Sequence, residues 1–269
     1  MKLWTLGCAA ALGIAAALPV QGAIVVQYNG SGSSGTAGAE PVSLAATANS
    51  SPNVTASSLT RGSGIGTAAL ANGYSGNNWD PTNSTQSAAV AANDFFQWSF
   101  TVNSGFEADI SSFDATLRRS AIDGPKHFAL QYSFDGFATA GATAVTFNYF
   151  GRNSGTAPGT VTPFQWMTTD TPGQTAGNRI SQQDLSGVAA LQDIAGGTTV
   201  TFRLYGWGDG AGATSNTVAL GRNTAPLTAD NGNGEAGAQL NGVVTAVPEP
   251  MTAGVAGLFV LGALIRRRR

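Results

Sequence analysis

The stretch Phe128-Ala129-Leu130-Gln131-Tyr132-Ser133-Phe134-Asp135-Gly136-Phe137 decides the fold class. Phe128, Leu130, Tyr132 and Phe134 alternate with Ala129, Gln131 and Ser133, and a period of two marks a half-buried strand. Asp135-Gly136 follows at a point where a glycine that accepts positive φ lets the chain fold back as a hairpin. Downstream, Val145, Phe147 and Tyr149 alternate with Thr146 and Asn148. Beyond Gly196-Gly197, Val200, Phe202 and Leu204 alternate with Thr201 and Arg203. Further strands are predicted over 24–28, 54–59, 95–102, 110–117 and 240–245. Residues 181–194, with Leu185, Val188, Ala189 and Leu191, have room for one short helix. Segment 29–93 is poorer in large apolar residues and is expected to hold long loops around two or three strands. There is no heptad, no other helical period and no internal repeat. Many short strands with Gly-, Ser- and Asn-rich connections predict an all-β fold, an antiparallel two-layer sandwich of jelly-roll type over 23–246.

Composition supports a folded body. Charged residues form 10% of the 269-residue chain, against about 25% in ordinary soluble domains. The 36 glycines alone would be compatible with disorder, but 13 Phe, 5 Trp and 5 Tyr supply apolar surface that disordered chains lack. Of 13 basic residues, Lys2 and Arg266, Arg267, Arg268 and Arg269 lie in the terminal segments. Residues 23–246 keep eight basic residues against fourteen acids, a net charge of −6. With no basic patch to hold phosphates, nucleic acid is not an expected partner. Cys8 is the one cysteine, so the body has no disulfide, thiol nucleophile or Cys-bound metal. Thr5-Leu6-Gly7 before it fits a lipoprotein acylation site poorly.

The two ends carry targeting signals. Residues 1–22 have a minimal positive start at Lys2, an Ala- and Leu-rich apolar stretch, and Pro19, whose ring ends a helix. Val20-Gln21-Gly22 then favours cleavage before Ala23, which implies the Sec translocon and signal peptidase as partners. At the other end, Val247-Pro248-Glu249-Pro250 precedes an apolar run over 251–265 and the four terminal arginines. Those arginines resist translocation and keep that end cytoplasmic. As a helix the run would span roughly 22 Å, short of the roughly 30 Å hydrocarbon core, so it suits a temporary transmembrane anchor. The prolines hold Val247 and Glu249 extended, and Pro250 suits the first helical position. This tail, residues 247–269, resembles the PEP-CTERM sorting signal of Gram-negative bacteria that make exopolysaccharide. The resemblance implies an exosortase-type membrane transpeptidase as partner, transient residence in the inner membrane, and delivery to the cell surface or extracellular matrix. Met251 departs from it, since many members carry Ser or Thr there.

Chemistry inside the body is sparse. His127 stands alone at the start of a strand, no Gly-x-Ser-x-Gly elbow occurs, and a nucleophilic triad is not expected. Zinc ligands are too few, no phosphate-cradling glycine motif precedes a helix, and no cofactor is expected. Paired carboxylates for a glycosidase remain open as Asp109 with Asp114 or Asp123 with Asp135. The segment Asp230-Asn231-Gly232-Asn233-Gly234-Glu235 offers oxygen ligands without EF-hand spacing and reads first as a plain loop. Two segments set an indole beside amide or carboxylate groups that read sugar hydroxyls. They are Asn78-Trp79-Asp80, preceded by Asn77, and Trp207-Gly208-Asp209; each tryptophan has a core reading as its alternative. The stretch Tyr132-Ser133-Phe134-Asp135-Gly136 also resembles a strand-turn of galactose-binding-like jelly rolls, which implies carbohydrate binding. The expectation is a non-enzymatic exported protein associated with extracellular polysaccharide. The alternatives are a carbohydrate-binding module and a polysaccharide-active enzyme using paired carboxylates.

Overall fold

Alternation along 95–102 produces the central seam of the molecule. Phe96, Trp98, Phe100 and Val102 point inward and are buried, while Gln97, Ser99 and Thr101 take the other face. The computed structural model describes residues 23–30, 36, 39–48, 50–69, 73–79, 85–119, 125–148, 178–180, 182–208, 217–221 and 236–247. The signal segment 1–22, residues 248–269 with the predicted membrane helix, Tyr149, Asp123 and the 230–235 loop therefore lie outside the described residues. No helix among the described residues is long and apolar enough to cross a membrane.

In chain order the strands are β1 (Ala23–Asn29), β2 (Val54–Ala56), β3 (Thr60–Arg61), β4 (Gly66–Thr67) and β5 (Gly73–Asn77). Helix α1 (Gln86–Ala92) precedes β6 (Phe95–Val102), β7 (Phe106–Arg119), β8 (His127–Ser133) and β9 (Ala142–Asn148). Then come β10 (Asn178–Arg179), β11 (Gln183–Asp184), β12 (Ile194–Ala195), β13 (Thr199–Trp207), β14 (Val218–Gly221) and β15 (Ala236–Ala246). One sheet orders them β1-β15-β7-β14-β5-β4, with β10, β11 and β12 also paired to β7. The other runs β2-β6-β13-β8-β9, with β3 also on β6. Among the described residues the strand pairings are antiparallel. The protein is an all-β sandwich.

Rings join the layers. Trp98 of β6 lies 5.9 Å from Phe113 of β7 at 19°, 5.9 Å from Phe202 of β13 at 14°, and 6.2 Å from Tyr28 of β1. Phe147 of β9 meets Phe113 and Phe128. Burial pushes the Tyr28 hydroxyl well above the usual phenol range, and the hydroxyl donates to the Ser57 carbonyl at 2.6 Å.

The outer face of the first sheet is polar yet buried. Gln27 donates to Gln239, Gln239 to Asn241, and Asn241 to both Ser112 and the carboxylate of Asp114, which is 2% exposed. Gln182 donates to the same Ser112 hydroxyl. A satisfied network of this kind fixes strand register, because a one-residue slip would strand its members. Beside it, β15 shifts register between Asn241 and Gly242. A Cβ at Gly242 would run into the Asp109 carbonyl oxygen, so the close approach needs glycine.

Several expectations need correction. The predicted 54–59 strand stops at Ala56, and Leu59 makes only an isolated bridge to Leu44. Strand β8 stops at Ser133, leaving Phe134 46% exposed in the turn. The helix expected in 181–194 is a single 3-10 turn at Ala189–Leu191. Helix α1 was not anticipated; Thr85 caps it by accepting from Ala88 N–H, and Asn93 ends it in the left-handed region.

The strands run between two poles. At one, Val102, the 103–105 turn and Thr198 are tied together, and Val247 N–H donates to the Gly105 carbonyl at 2.8 Å. At the other lie Phe95, His127, Asn148 and Trp207, where β6, β8, β9 and β13 end or begin.

Candidate functional site

On the outer face of the second sheet, register aligns residues far apart in sequence. Trp207 of β13 lies opposite His127 of β8, and His127 opposite Asn148 of the edge strand β9. The indole and imidazole stack with centroids 5.8 Å apart and 26° between planes. His127 Nδ1 lies 2.7 Å from Asn148 Oδ1; with the amide oxygen as acceptor, Nδ1–H donates and the imidazole is held in one orientation. Trp207 and His127 are half-buried and Asn148 is exposed. Trp207 also packs on the Ala89–Phe95–Tyr205 cluster, through which α1 covers the middle of this face. The row thus offers a ring edge, an imidazole and a carboxamide, groups that suit C–H surface and hydroxyls together.

Next along the same face, the Arg203 guanidinium lies between two rings, 4.2 Å from the Phe95 centroid and 4.1 Å from that of Phe137. Its Nε donates to Gln97 at 2.7 Å and its Nη1 to the Tyr205 hydroxyl at 3.2 Å. Phe137 reaches it because the turn is tightly knotted. Ser133 donates to Asp135 at 2.5 Å, Thr139 N–H and hydroxyl donate to the other carboxylate oxygen, and Phe137 N–H donates back to Ser133. Gly136 has φ +68° and Phe137 itself +66°. The Ser133 hydroxyl, followed by Thr139, draws the Asp135 carboxyl down to about 2. The Asp-Gly signal was therefore a turn, but one that spans 134–141 and positions Phe137, longer than a two-residue hairpin loop.

Trp79 does not serve as a platform. It is 1% exposed, its Nε1–H donates to the Gly76 carbonyl at 2.8 Å, and its ring meets Phe96 edge-on at 5.3 Å. Its apolar surface is spent on the core, so neither face is open to a sugar. Asn78 is exposed with φ +61°. Asp80 and Asp209 lie outside the described residues, as do Pro248, Glu249, Pro250, Arg266, Arg267, Arg268 and Arg269.

The Asp109–Asp114 pair is not assembled. Five residues apart on β7, their Cα atoms are separated by roughly 16–17 Å of strand, whereas glycosidase carboxylates stand about 5–9.5 Å apart. Each is engaged elsewhere, Asp109 by Asp193 N–H at 2.7 Å and Asp114 by Asn241 at 2.6 Å. Among the described residues no group of three or more His, Cys, Asp or Glu could hold a metal ion. Arg61 is a structural clasp: it lies 3.8 Å from the Tyr74 ring centroid and donates to the Ser75 and Pro41 carbonyls. Burial lowers the Arg61 guanidinium and pushes the Tyr74 hydroxyl up to about 12.

His127 and Asn148 were not placed at a site by the sequence, and only cross-strand register joins them to Trp207. No family model, curated protein or solved structure matches this chain.

Proposed function

We propose that this chain is an exported, non-enzymatic surface or matrix protein, sorted through a PEP-CTERM tail by an exosortase-type transpeptidase after Sec export and signal-peptide removal. The observation that carries this reading is the tripartite order of Val247-Pro248-Glu249-Pro250, apolar run and terminal arginines. The junction supports it: β15 ends at Ala246, and Val247 is 42% exposed at the pole. A processing enzyme needs such an accessible, extended entry. The strand orders β1-β15-β7 with β11 and β12, and β6-β13-β8-β9, support a jelly-roll reading of the sandwich. Intact-mass analysis of the protein from its native host is the test. Loss of residues 1–22 and cleavage within 247–250 are expected; surface protein that retains the four terminal arginines would refute the reading.

A second reading, a carbohydrate-binding module, is favoured by the Trp207–His127–Asn148 row. Glycan arrays on the mature protein should then return a polysaccharide ligand, lost in Trp207→Ala and weakened in Asn148→Ala. A blank array would remove it without touching the sorting reading.

A further inference from the structure

Among the described residues, the last part of β15 has one edge without a strand. β1 pairs along β15 only as far as Ala23 opposite Gly242, whereas β7 continues alongside to Ala246 opposite Phe106. Val247 N–H points to the β7 side, where Gly105 accepts it. In an antiparallel ladder alternate residues face the same neighbour. Val243 and Thr245 therefore face β7, and Val244 and Ala246 turn their N–H and C=O groups to the other side. No described strand pairs with them there. Exposure rises along the same residues: Val243 and Val244 are half-buried, and Thr245, Ala246 and Val247 are exposed. Folded proteins usually guard such edges with charge or proline, yet Val243-Val244-Thr245-Ala246-Val247 has neither and is rich in β-branched side chains. On the sorting reading above, cleavage before Ala23 would leave nothing upstream to lengthen β1 over this edge.

We propose that residues 243–247 are a β-augmentation site, on which the membrane transpeptidase docks an extended segment of its own next to the motif it processes. This rests on the sorting reading above and adds the mode of recognition. Strand addition draws affinity from main-chain hydrogen bonds, and the edge leads directly into Val247-Pro248. The motif would then be presented in register by a folded body rather than as a free peptide.

The test uses the full chain in a host that carries the transpeptidase, with the tail-free fraction read by intact mass. Inserting Thr-Val-Thr-Val between Gly22 and Ala23 lengthens β1 over the edge without altering the tail. The processed fraction should fall at least about tenfold, with an unchanged or higher Tm. Glu249→Ala reports on the sorting reading and should also block processing. Normal processing of the insertion variant beside a blocked Glu249→Ala overturns the edge proposal and leaves sorting intact. Normal processing of both removes both. If the insertion lowers Tm, Ala246→Lys takes its place, setting a charge on the edge while keeping the β7 ladder, and the same outcomes decide. If the insertion abolishes a dimer in sedimentation and leaves processing unchanged, the edge belongs to a second copy and the proposal fails.

Discussion

Trp79→Ala and Trp207→Ala should behave as opposites, and the pair tests where the core ends. A buried tryptophan removes about 200 Å² from water, worth about 5 kcal/mol at roughly 25 cal/mol/Å². Compactness of the unfolded chain trims that to about 3–4 kcal/mol. Losing the Nε1–Gly76 bond adds about 1 kcal/mol, so Trp79→Ala should cost about 4 kcal/mol, within the usual range for such truncations. For a body of this length that is a fall in Tm of about 8–16 °C. Trp207 is half-buried against His127 and Tyr205, and its truncation should cost about 1–2 kcal/mol. Urea melts followed by circular dichroism give both numbers without relying on tryptophan fluorescence. If Trp79→Ala costs under about 1 kcal/mol while Trp207→Ala costs more, the two indoles have been assigned to the wrong sides of the surface. Retention on polysaccharide completes the contrast: on the carbohydrate-binding reading, Trp207→Ala should lose it while still folded, and Trp79→Ala only as the body unfolds.

Gly242→Ala should cost about 2–3 kcal/mol as its Cβ meets the Asp109 carbonyl. Gly187→Ala, with nothing within 4 Å of its Cβ, should be neutral or slightly stabilising; equal melts for the two would refute the bulge argument. Asp135 is drawn from 3.8 to about 2 in the folded protein. Its carboxylate therefore supports the turn fully above about pH 4, and that support is lost as pH falls through 3.8 towards 2. A carboxyl-carbon NMR titration with its midpoint near 4 would contradict the Ser133 and Thr139 bonds.

Where one face of a strand is apolar and the other polar, the sequence declared it. β6 occupies the predicted 95–102, and β13 extends the alternation seen at Val200, Phe202 and Leu204 by one residue before and three after. Legibility failed where the second face is also covered. Ala129 and Gln131 looked solvent-facing but are buried, because α1 and the Phe137 turn lie over that side. α1 itself hid behind small residues, since Gln86–Ala92 has no apolar period; Thr85 and Asn93 were its readable ends. β5 was masked by Gly73 and Gly76, which carry no β signal. The Trp79 environment comes from Phe96 and Gly206, too distant in the chain for local reading. The Trp207–His127–Asn148 row is a product of register, and register between remote strands is not written in any one of them.

The two poles have a consequence for how the molecule would stand if tethered to a surface. β1 enters from the pole where Val247 leaves, since Ala23 pairs with Gly242. Both terminal connections thus attach on one side, like two cords tied to the same end of a pendant. Thr199 lies at that end and Trp207 at the other, about 27 Å away along β13 at 3.3–3.4 Å per residue. A tether joined directly to Ala23 or Val247 would meet the sandwich at the end away from Trp207. A reporter joined directly before Ala23 or after Val247 should crowd the same pole and leave the opposite one clear.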